Sequence, residues 1–298
     1  MNRIVSKMGC PKCNTNRKPE YRIVSATIYK GGKKVFIKYP QNELSHQFIK
    51  DIVKREITAQ KGFAHQAQVV RSRIVDGILI YPYIPFPNLE TLIDEKLSTK
   101  DFQGAHHLLK SYVLFLRNLA QSKMKPLQFA KEFGLRRESV TKELNSLSFG
   151  PIDCIPSNIL VSKTQWYVVD HEWTYDFPVP VDYVIFRGIY SLVLSLQSKI
   201  QSHTSADFPV SRFEGYGKNQ TFIPYDWLQF FKEMEIPIKD LYFLEYLFQK
   251  KIQIYSKLGI LRLGAKPKKL EKIPQPSMLV RTLVPVVSKL QKWLLRLK

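Results

Sequence analysis

Cysteine is scarce in this sequence, and long hydrophobic runs are absent. Only 3 cysteines occur among 298 residues, and this small, odd number does not make a disulfide framework. No run of about 18 apolar residues occurs, so no membrane-spanning helix is expected. The first ten residues lack the apolar core of a secretory signal peptide and the glycine after Met1 that myristoylation requires. These absences predict a cytoplasmic protein in a reducing compartment.

Acidic residues are also in short supply. The chain has 25 Asp or Glu against 46 Lys or Arg, a net charge of +21. A balance this basic favours an anionic partner, such as nucleic acid, an anionic membrane surface or a phosphorylated substrate. Nearly half of the excess lies in residues 257–298, where eleven Lys or Arg and one acid give +10. Nucleic acid is the least favoured partner, because the chain lacks a motif that interleaves basic and aromatic residues.

The hydrophobic residues change their period along the chain. They make up 44% of the sequence, which indicates a globular protein and excludes a disordered one. Residues 21–39 predict a β-hairpin, residues 42–63 a helix closed by Gly62, and residues 68–84 a second hairpin turned at an Asp-Gly pair. After a proline-rich connection, further helices are predicted over 101–121, 181–200, 225–234 and 239–256.

This order of elements predicts an α+β protein of two lobes. A small β-rich N-terminal lobe with one helix would span residues 1–84, and a larger, mainly helical lobe would span residues 85–256. Residues 257–298 would follow as a basic tail. A ligand cleft between the two lobes is the expected site.

The stretch GPIDCIPSNILVSKTQWYVVDHEW, residues 150–173, places three oxygen-bearing side chains around a predicted hairpin. Asp153 and Asn158 precede the strand-like ILV, and Asp170 ends the returning strand WYVVD. The residue before one strand and the residue after its antiparallel partner lie at the same end of a hairpin, so these side chains are expected to meet. Carboxylate and amide oxygens suit Mg²⁺. Three ordinary turn residues are the alternative interpretation.

The segments DCIPSNILV and VVDHEW resemble the catalytic and metal loops of the protein-kinase-like superfamily, of the choline kinase and aminoglycoside phosphotransferase type. They are also similar to the kinase domains of bacterial lipopolysaccharide O-antigen chain-terminating enzymes. The resemblance implies a two-lobed kinase-like fold, ATP and Mg²⁺ as cofactors, and a hydroxyl group of a small molecule or glycan as the acceptor.

The resemblance also implies roles for individual residues. Asp153 matches the catalytic base, and Asn158 and Asp170 match magnesium ligands, with Glu172 at the second acidic position of the metal loop. In the upstream half of the chain, Lys38 in VFIK matches the phosphate-binding lysine. Glu56 in VKREI matches the helix glutamate that pairs with that lysine.

Three features depart from the family pattern. Pro151 stands where the family usually has histidine, no glycine-rich G-x-G-x-x-G precedes the first hairpin, and His171 occupies the middle of the metal loop. The loop GCPKCNTNRKPE could take the place of the glycine-rich loop, if RIVSK forms a first strand. A catalytically weak kinase-like scaffold that binds nucleotide or a partner protein is therefore the alternative function.

The N-terminal motif CPKC offers Cys10 and Cys13 as a ligand pair. A structural zinc site needs four ligands, and the sequence has no second pair of cysteines. Free cytosolic cysteines are the favoured interpretation, and a metal site that recruits Cys154 and histidines is the alternative.

The end of the chain, residues 279–298, has an amphipathic pattern. Its apolar residues recur at spacings of three and four, at Leu283, Val286, Leu290, Trp293 and Leu297. Lys and Arg occupy the opposite side, which is typical of a helix that lies in a membrane interface. A helix docked on the large lobe or a coiled-coil seam is the alternative. We expect a protein that is cytoplasmic or peripheral on the inner face of the membrane, where it would meet anionic lipid.

Overall fold

The computed structural model describes residues 12–30, 32–124, 127–132, 143–203 and 225–253. Three predicted features lie outside these residues: Cys10, the strand RIVSK, and the basic tail 257–298 with its amphipathic helix. In the part of the chain that is described, no helix is long and apolar enough to cross a membrane.

The N-terminal part of the chain forms a five-stranded antiparallel sheet in the order β1-β2-β3-β6-β5. The predicted first hairpin is present, and Lys38 lies opposite Ser25 in it. The second hairpin turns at Asp76 and Gly77, whose φ angles of 51° and 76° suit the tight turns that join two strands. The strands are β1 (Lys12–Cys13), β2 (Ile23–Lys30), β3 (Lys33–Pro40), β5 (Arg73–Val75) and β6 (Ile78–Pro82), and β4 (Gln68–Val69) joins another sheet.

One long helix, α1 (His46–Phe63), follows the first hairpin and buries the face that carries Phe48, Ile52 and Phe63. The prediction that Gly62 closes this helix is wrong. The helix continues through Phe63, and Ala64 with a φ of 41° is its C-cap. Glycine is needed inside the helix instead, because a Cβ at Gly62 would lie 2.3 Å from a ring carbon of Phe149.

The rest of the described chain is mainly helical. The proline-rich connection is shorter than predicted, because Asn88 caps a helix there by accepting a hydrogen bond from the Thr91 amide at 2.8 Å. Asp101 caps the next helix by accepting a hydrogen bond from the Gly104 amide. The helices are α2 (Leu89–Ser98), α3 (Phe102–Asn118), α4 (Leu127–Glu132), α5 (Val181–His203), α6 (Trp227–Glu233) and α7 (Ile238–Ile252).

Short strands lie between these helices, and two of them form the predicted hairpin of the motif. In this hairpin β10 pairs antiparallel with β11, and β11 also pairs in parallel with β4. The β4 pairing ties the segment after α1 to the strand that leads to Asp170. The short strands are β7 (Ser122–Met124), β8 (Leu144–Leu147), β9 (Gly150–Pro151), β10 (Ile159–Val161), β11 (Trp166–Val168), β12 (Thr174–Tyr175) and β13 (Val179–Pro180).

A continuous cluster of buried apolar side chains extends from the sheet through α1 into the helical part. A second, small cluster of Ala26, Ile28, Ile37 and Ile80 lies within the sheet. The predicted fold class is thereby confirmed: the protein is α+β, with a β-rich N-terminal lobe that carries one long helix and a larger, mainly helical lobe, the architecture that the kinase-like resemblance implies. The boundary at residue 84, between β6 and α2, stays a prediction.

Candidate active site

The two ends of the β10–β11 hairpin meet at the motif residues. The Val169 amide donates to the Asn158 carbonyl at 2.9 Å, which joins the start of β10 to the end of β11. The Asn158 side chain donates through Nδ2 to the Asp153 carbonyl at 3.0 Å. Carboxylate oxygens of Asp153, Asp170 and Glu172 all lie within 4.8 Å of one another. The structure thus brings the predicted base and the predicted metal ligands together, while their roles stay predictions.

Backbone geometry directs the metal loop toward this point. Asp170 has a φ of 62°, a left-handed conformation that Asp adopts more readily than most residues. His171, which follows it, is only 2% exposed. Burial, and then the nearby Lys38, lower the pKa of His171 to about 4, so its imidazole is neutral at pH 7. The histidine in the middle of the loop is therefore a neutral core side chain.

Lys38, on the central strand β3, reaches two carboxylates of the metal loop. Its Nζ donates to Asp170 Oδ1 at 2.6 Å and to Glu172 Oε1 at 2.5 Å. Burial lowers the pKa of Lys38, but the two carboxylates outweigh burial and raise it overall, so the lysine is charged. For Glu172, burial raises the pKa, and Lys38 and Arg17 overcome this and lower it to about 2.

The predicted pair between Lys38 and Glu56 is not formed. Glu56 accepts a hydrogen bond from the Tyr81 hydroxyl at 2.7 Å and from the Ser72 amide and hydroxyl at 3.0 and 2.9 Å. Both oxygens of Glu56 are therefore occupied by neutral donors, and the ammonium group of Lys38 is occupied by the metal loop. The helix glutamate therefore connects α1 to Ser72 and to Tyr81 in the sheet, and its predicted role in cofactor binding stays a prediction.

Arg187 on α5 is a site residue that the sequence analysis missed. Its guanidinium group contacts Asp153 Oδ1 at 3.1 Å and Glu245 Oε1 at 2.5 Å, and its Nε donates to the Ile152 carbonyl at 3.1 Å. The guanidinium carbon of Arg187 lies 4.3 Å from the centroid of the Phe248 ring. A signal was present, since an arginine within the apolar helix VDYVIFRGIYSLVLSL must be paired when it is buried.

Burial and Arg187 act in opposite directions on Asp153. Burial raises the pKa of Asp153 and is the larger effect, Arg187 lowers it, and the nearby acids Asp170 and Glu172 raise it again, to about 6. A carboxylate with a pKa near neutrality is a stronger base than an ordinary aspartate and still ionised at pH 7.

Two more arginines that the sequence analysis missed converge on Glu172. Arg17, in the loop between β1 and β2, contacts Glu172 Oε2 at 2.5 Å. Arg55 on α1 donates to the Glu172 carbonyl, and its guanidinium carbon lies 5.5 Å from the Trp173 ring centroid. Neither residue stands out in the sequence, because both lie in stretches with many other basic residues.

Pro151, which departs from the family pattern, lies in the short strand β9. It pairs with Thr174 of β12, the residue that directly follows the metal loop.

The two described cysteines are both free. Cys13, on β1, is exposed, and Cys154 is buried. Among the described residues, the group that could hold a metal ion is formed by carboxylates and contains no cysteine.

A surface cavity of about 610 Å³ lies apart from this site. Its walls come from the C-terminal end of α1, β4, the end of β6 and the turn between β10 and β11. None of the residues that meet at the hairpin lines it, so the cavity gives no support to their predicted chemistry.

Comparison with known proteins gives structural similarity alone. No protein-family model and no curated protein matches the sequence. Among solved structures, the chain is similar to the ternary complex of streptomycin, ATP and APH(2″)-IIa, with 13% identity and a TM-score of 0.37 over 61% of this chain and 70% of that chain. It is similar to the choline kinase LicA of Streptococcus pneumoniae, with 14% identity and a TM-score of 0.33 over 80% and 86%.

The ethanolamine kinase of Plasmodium vivax is a third similar structure, with 10% identity and a TM-score of 0.39 over 90% of this chain and 84% of that chain. At identities and TM-scores this low, the similarities by themselves assign no activity to the chain.

Proposed function

We propose that this protein is an ATP- and Mg²⁺-dependent phosphotransferase whose acceptor is a hydroxyl group. The observation that carries the proposal is the convergence of Asp153, Asp170 and Glu172 with the buried Lys38 at one end of the hairpin. Phosphoryl transfer needs little covalent help from a protein and depends on positioned charges around the phosphates. The cluster supplies both: the Lys38 ammonium group can bind the negative phosphates, and the three carboxylates can bind a cation.

The donor set fits magnesium. Mg²⁺ prefers hard oxygen ligands, and the three carboxylates supply them. Asn158 donates its amide nitrogen to the Asp153 carbonyl, which leaves its Oδ1 as a further oxygen donor. Asp170 and Asn158 would hold the ion, whereas Glu172, the third predicted ligand, already contacts Lys38 and Arg17. When bound, Mg²⁺ neutralises negative charge on the nucleotide phosphates.

The remaining residues would position and deprotonate the acceptor. Lys38 would contact the phosphates of ATP. Asp153 would accept the proton of the attacking hydroxyl, and a pKa of about 6 leaves it mostly ionised at pH 7. Arg187 would hold the Asp153 carboxylate in place from α5.

We further propose that the acceptor belongs to a small molecule or glycan, and that it is a lipid-linked saccharide of the cell envelope. The motif's resemblance to kinase domains of lipopolysaccharide enzymes supports this class of substrate. The charge of +10 on residues 257–298 supports a peripheral position on an anionic membrane surface.

A catalytically weak scaffold is the second candidate function. It is favoured by the two cations that occupy both oxygens of Glu172 and by the lack of a glycine-rich loop. Binding of Mg·ATP without phosphate transfer to any acceptor in a broad panel would support this candidate over the enzyme.

Thermal unfolding with and without Mg·ATP tests the proposed nucleotide site. A ligand at a hundred times its dissociation constant stabilises a protein by about 2.7 kcal/mol. We expect a magnesium-dependent rise of the midpoint in the wild type, its loss in Asp170→Ala, and its retention in the matched control Asp176→Ala, which changes an exposed aspartate. No rise in the wild type would refute the enzyme and would leave only a scaffold that binds a partner protein.

A further inference from the structure

Two buried glutamates could orient Lys38, and the structure separates their contacts. Glu56 is 1% exposed and Glu172 is 2% exposed. Among the residues that the structure describes, Glu56 accepts side-chain hydrogen bonds from Tyr81 and Ser72, both within the N-terminal lobe. Glu172 contacts Lys38 directly at 2.5 Å. The carboxylate next to the lysine is therefore supplied by the metal loop and not by α1.

Glu172 has a second cation on its other oxygen. Arg17 contacts Oε2 at 2.5 Å while Lys38 contacts Oε1, so neither oxygen is vacant. Arg55 adds a hydrogen bond to the Glu172 carbonyl. A metal ion at Glu172 would have to share an oxygen with one of these cations or displace it, at a carboxylate side chain that is only 3% exposed. Sharing brings two positive charges together in a low-dielectric site, and displacement breaks a buried ion pair, so both are costly.

Asp170 is in a different situation. Its side chain is 31% exposed, and it shares a single oxygen with Lys38. A hydrated ion can reach Asp170 without breaking a buried ion pair. The two acids of the metal loop therefore differ in what they can bind.

Arg17 is held in place from both lobes. The Lys18 amide donates to the Ile252 carbonyl at the end of α7 at 3.0 Å, and the Asn14 amide donates to the Ile23 carbonyl at 3.4 Å. Arg22 donates to the Arg17 carbonyl at 2.9 Å. The loop of residues 14–22 thus delivers a fixed guanidinium group to the site from the position between the first two strands.

We propose that Glu172 and Arg17 are positioning residues for Lys38 and that Glu172 is not a magnesium ligand. Glu172 orients Lys38 in place of Glu56, Arg17 balances its remaining charge, and Asp170 with Asn158 is left to bind the metal. The inference rests on the proposed function, since it assigns roles within the same site.

The contact is tested without nucleotide by double-mutant cycles on the thermal midpoint. Lys38→Met is combined with Glu172→Gln and, as the matched control, with Glu56→Gln. Residues in contact show non-additive effects, and residues without shared partners show additive ones. We expect non-additivity with Glu172→Gln and additivity with Glu56→Gln. The reverse pattern would overturn the inference, whatever the protein catalyses.

The roles are tested by calorimetric binding of ATP with and without Mg²⁺. Loss of a charged hydrogen bond weakens binding by about tenfold or more. Glu172→Gln should therefore lower the ATP affinity equally with and without Mg²⁺, and it should preserve the increase in affinity that Mg²⁺ gives. Asp170→Asn should abolish that gain. Arg17→Gln should weaken binding in both conditions, and Arg17→Lys should restore most of it.

Selective loss of the magnesium gain in Glu172→Gln would show that Glu172 is a metal ligand and would overturn the proposal. Unchanged binding in Arg17→Gln would overturn the role of Arg17. If the wild type bound no nucleotide at all, the proposed function would fail, but the contact between Lys38 and Glu172 would not be affected. That contact would be refuted separately, by additive effects of Lys38→Met and Glu172→Gln. If Lys38→Met or Glu172→Gln failed to fold, the ATP affinities of Arg17→Lys and Arg17→Gln would decide between a positioning and a structural role for Arg17.

Discussion

The two buried charge clusters of the site are built in different ways. Asp153 is held by Arg187, and Arg187 also contacts Glu245 on α7. All three residues belong to the helical lobe. Glu172 is held by Lys38 from β3 of the sheet and by Arg17 from the loop between β1 and β2. The first cluster is complete within one lobe, whereas the second forms only where the lobes meet. The predicted base can therefore be held independently of the predicted phosphate-binding lysine.

The sharpest test of this separation is Asp153→Asn, which removes the predicted base and keeps its size. Loss of a general base lowers kcat by about 10²–10⁴-fold, and we expect Mg·ATP affinity to be retained. Lys38→Met, in the other cluster, should instead weaken nucleotide binding. Steady-state kinetics and calorimetry measure the two effects. An equal loss of affinity in both variants would show that the clusters are not separable.

The stability of the Asp153 cluster depends on Arg187. Arg187→Met leaves two buried carboxylates without their cation, and breaking a buried pair costs about 3–5 kcal/mol. Urea unfolding measures the change. The matched control is Lys54→Met, whose partner is Asp51 in a pair with side chains 75% and 35% exposed, where at most about 0.5 kcal/mol is expected. A change in Arg187→Met no larger than the control would contradict the buried bridge.

The two clusters should respond to pH in opposite directions. The pKa of Glu172 is lowered to about 2 from an ordinary value of 4.5, so its contribution is present above pH 4.5 and is lost as the pH falls toward 2. The pKa of Asp153 is raised to about 6 from 3.8, so its contribution is present below pH 3.8 and is lost as the pH rises toward 6.

Each shift corresponds to about 3 kcal/mol of unfolding free energy. Denaturant unfolding between pH 2.5 and 7 checks this. Compared with the wild type, Glu172→Gln should lose less stability in acid, and Asp153→Asn should lose less as the pH rises from 4 to 6. Parallel pH profiles for the wild type and both variants would contradict the assignment of the shifts.

The contact between the lobes away from the site is tested at Gly62. A methyl group there would overlap the Phe149 ring, and overpacking costs about 1–3 kcal/mol. Gln60→Ala, an exposed change on the same helix, should alter stability by no more than about 0.5 kcal/mol. Greater stability in Gly62→Ala than in the wild type would show that α1 and Phe149 are not packed as described.

Thiol labelling tests the packing around Asp153 without any substitution. Cys154, next to the predicted base, is buried, and burial raises the pKa of its thiol. Cys13, on β1, is exposed. Alkylation of the native protein followed by peptide mapping should modify Cys13 and leave Cys154 unmodified until the protein unfolds. Rapid modification of Cys154 would indicate that the helical-lobe cluster opens on its own.

Local chemistry was sufficient to predict the first hairpin, α1 and the turn at Asp76-Gly77. Alternating apolar residues, helical periodicity and turn residues are local signals, and they agree with the fold here. The end of α1 was mispredicted because the reason for Gly62 is a ring that lies 87 residues further along the chain.

The sequence by itself determined that Asp153, Asn158 and Asp170 would meet, because a hairpin of this length places its two ends together. It also determined the α+β class, through the order of its periodic segments. Only the tertiary structure decided which groups pair with those residues. Lys38 contacts Glu172 and not Glu56, and the remaining partners come from α5 and from the loop between β1 and β2. A charge buried in a low-dielectric interior pairs with the opposite charge that the fold brings within a few ångströms. The local sequence pattern cannot predict that distance, because it depends on how distant segments pack.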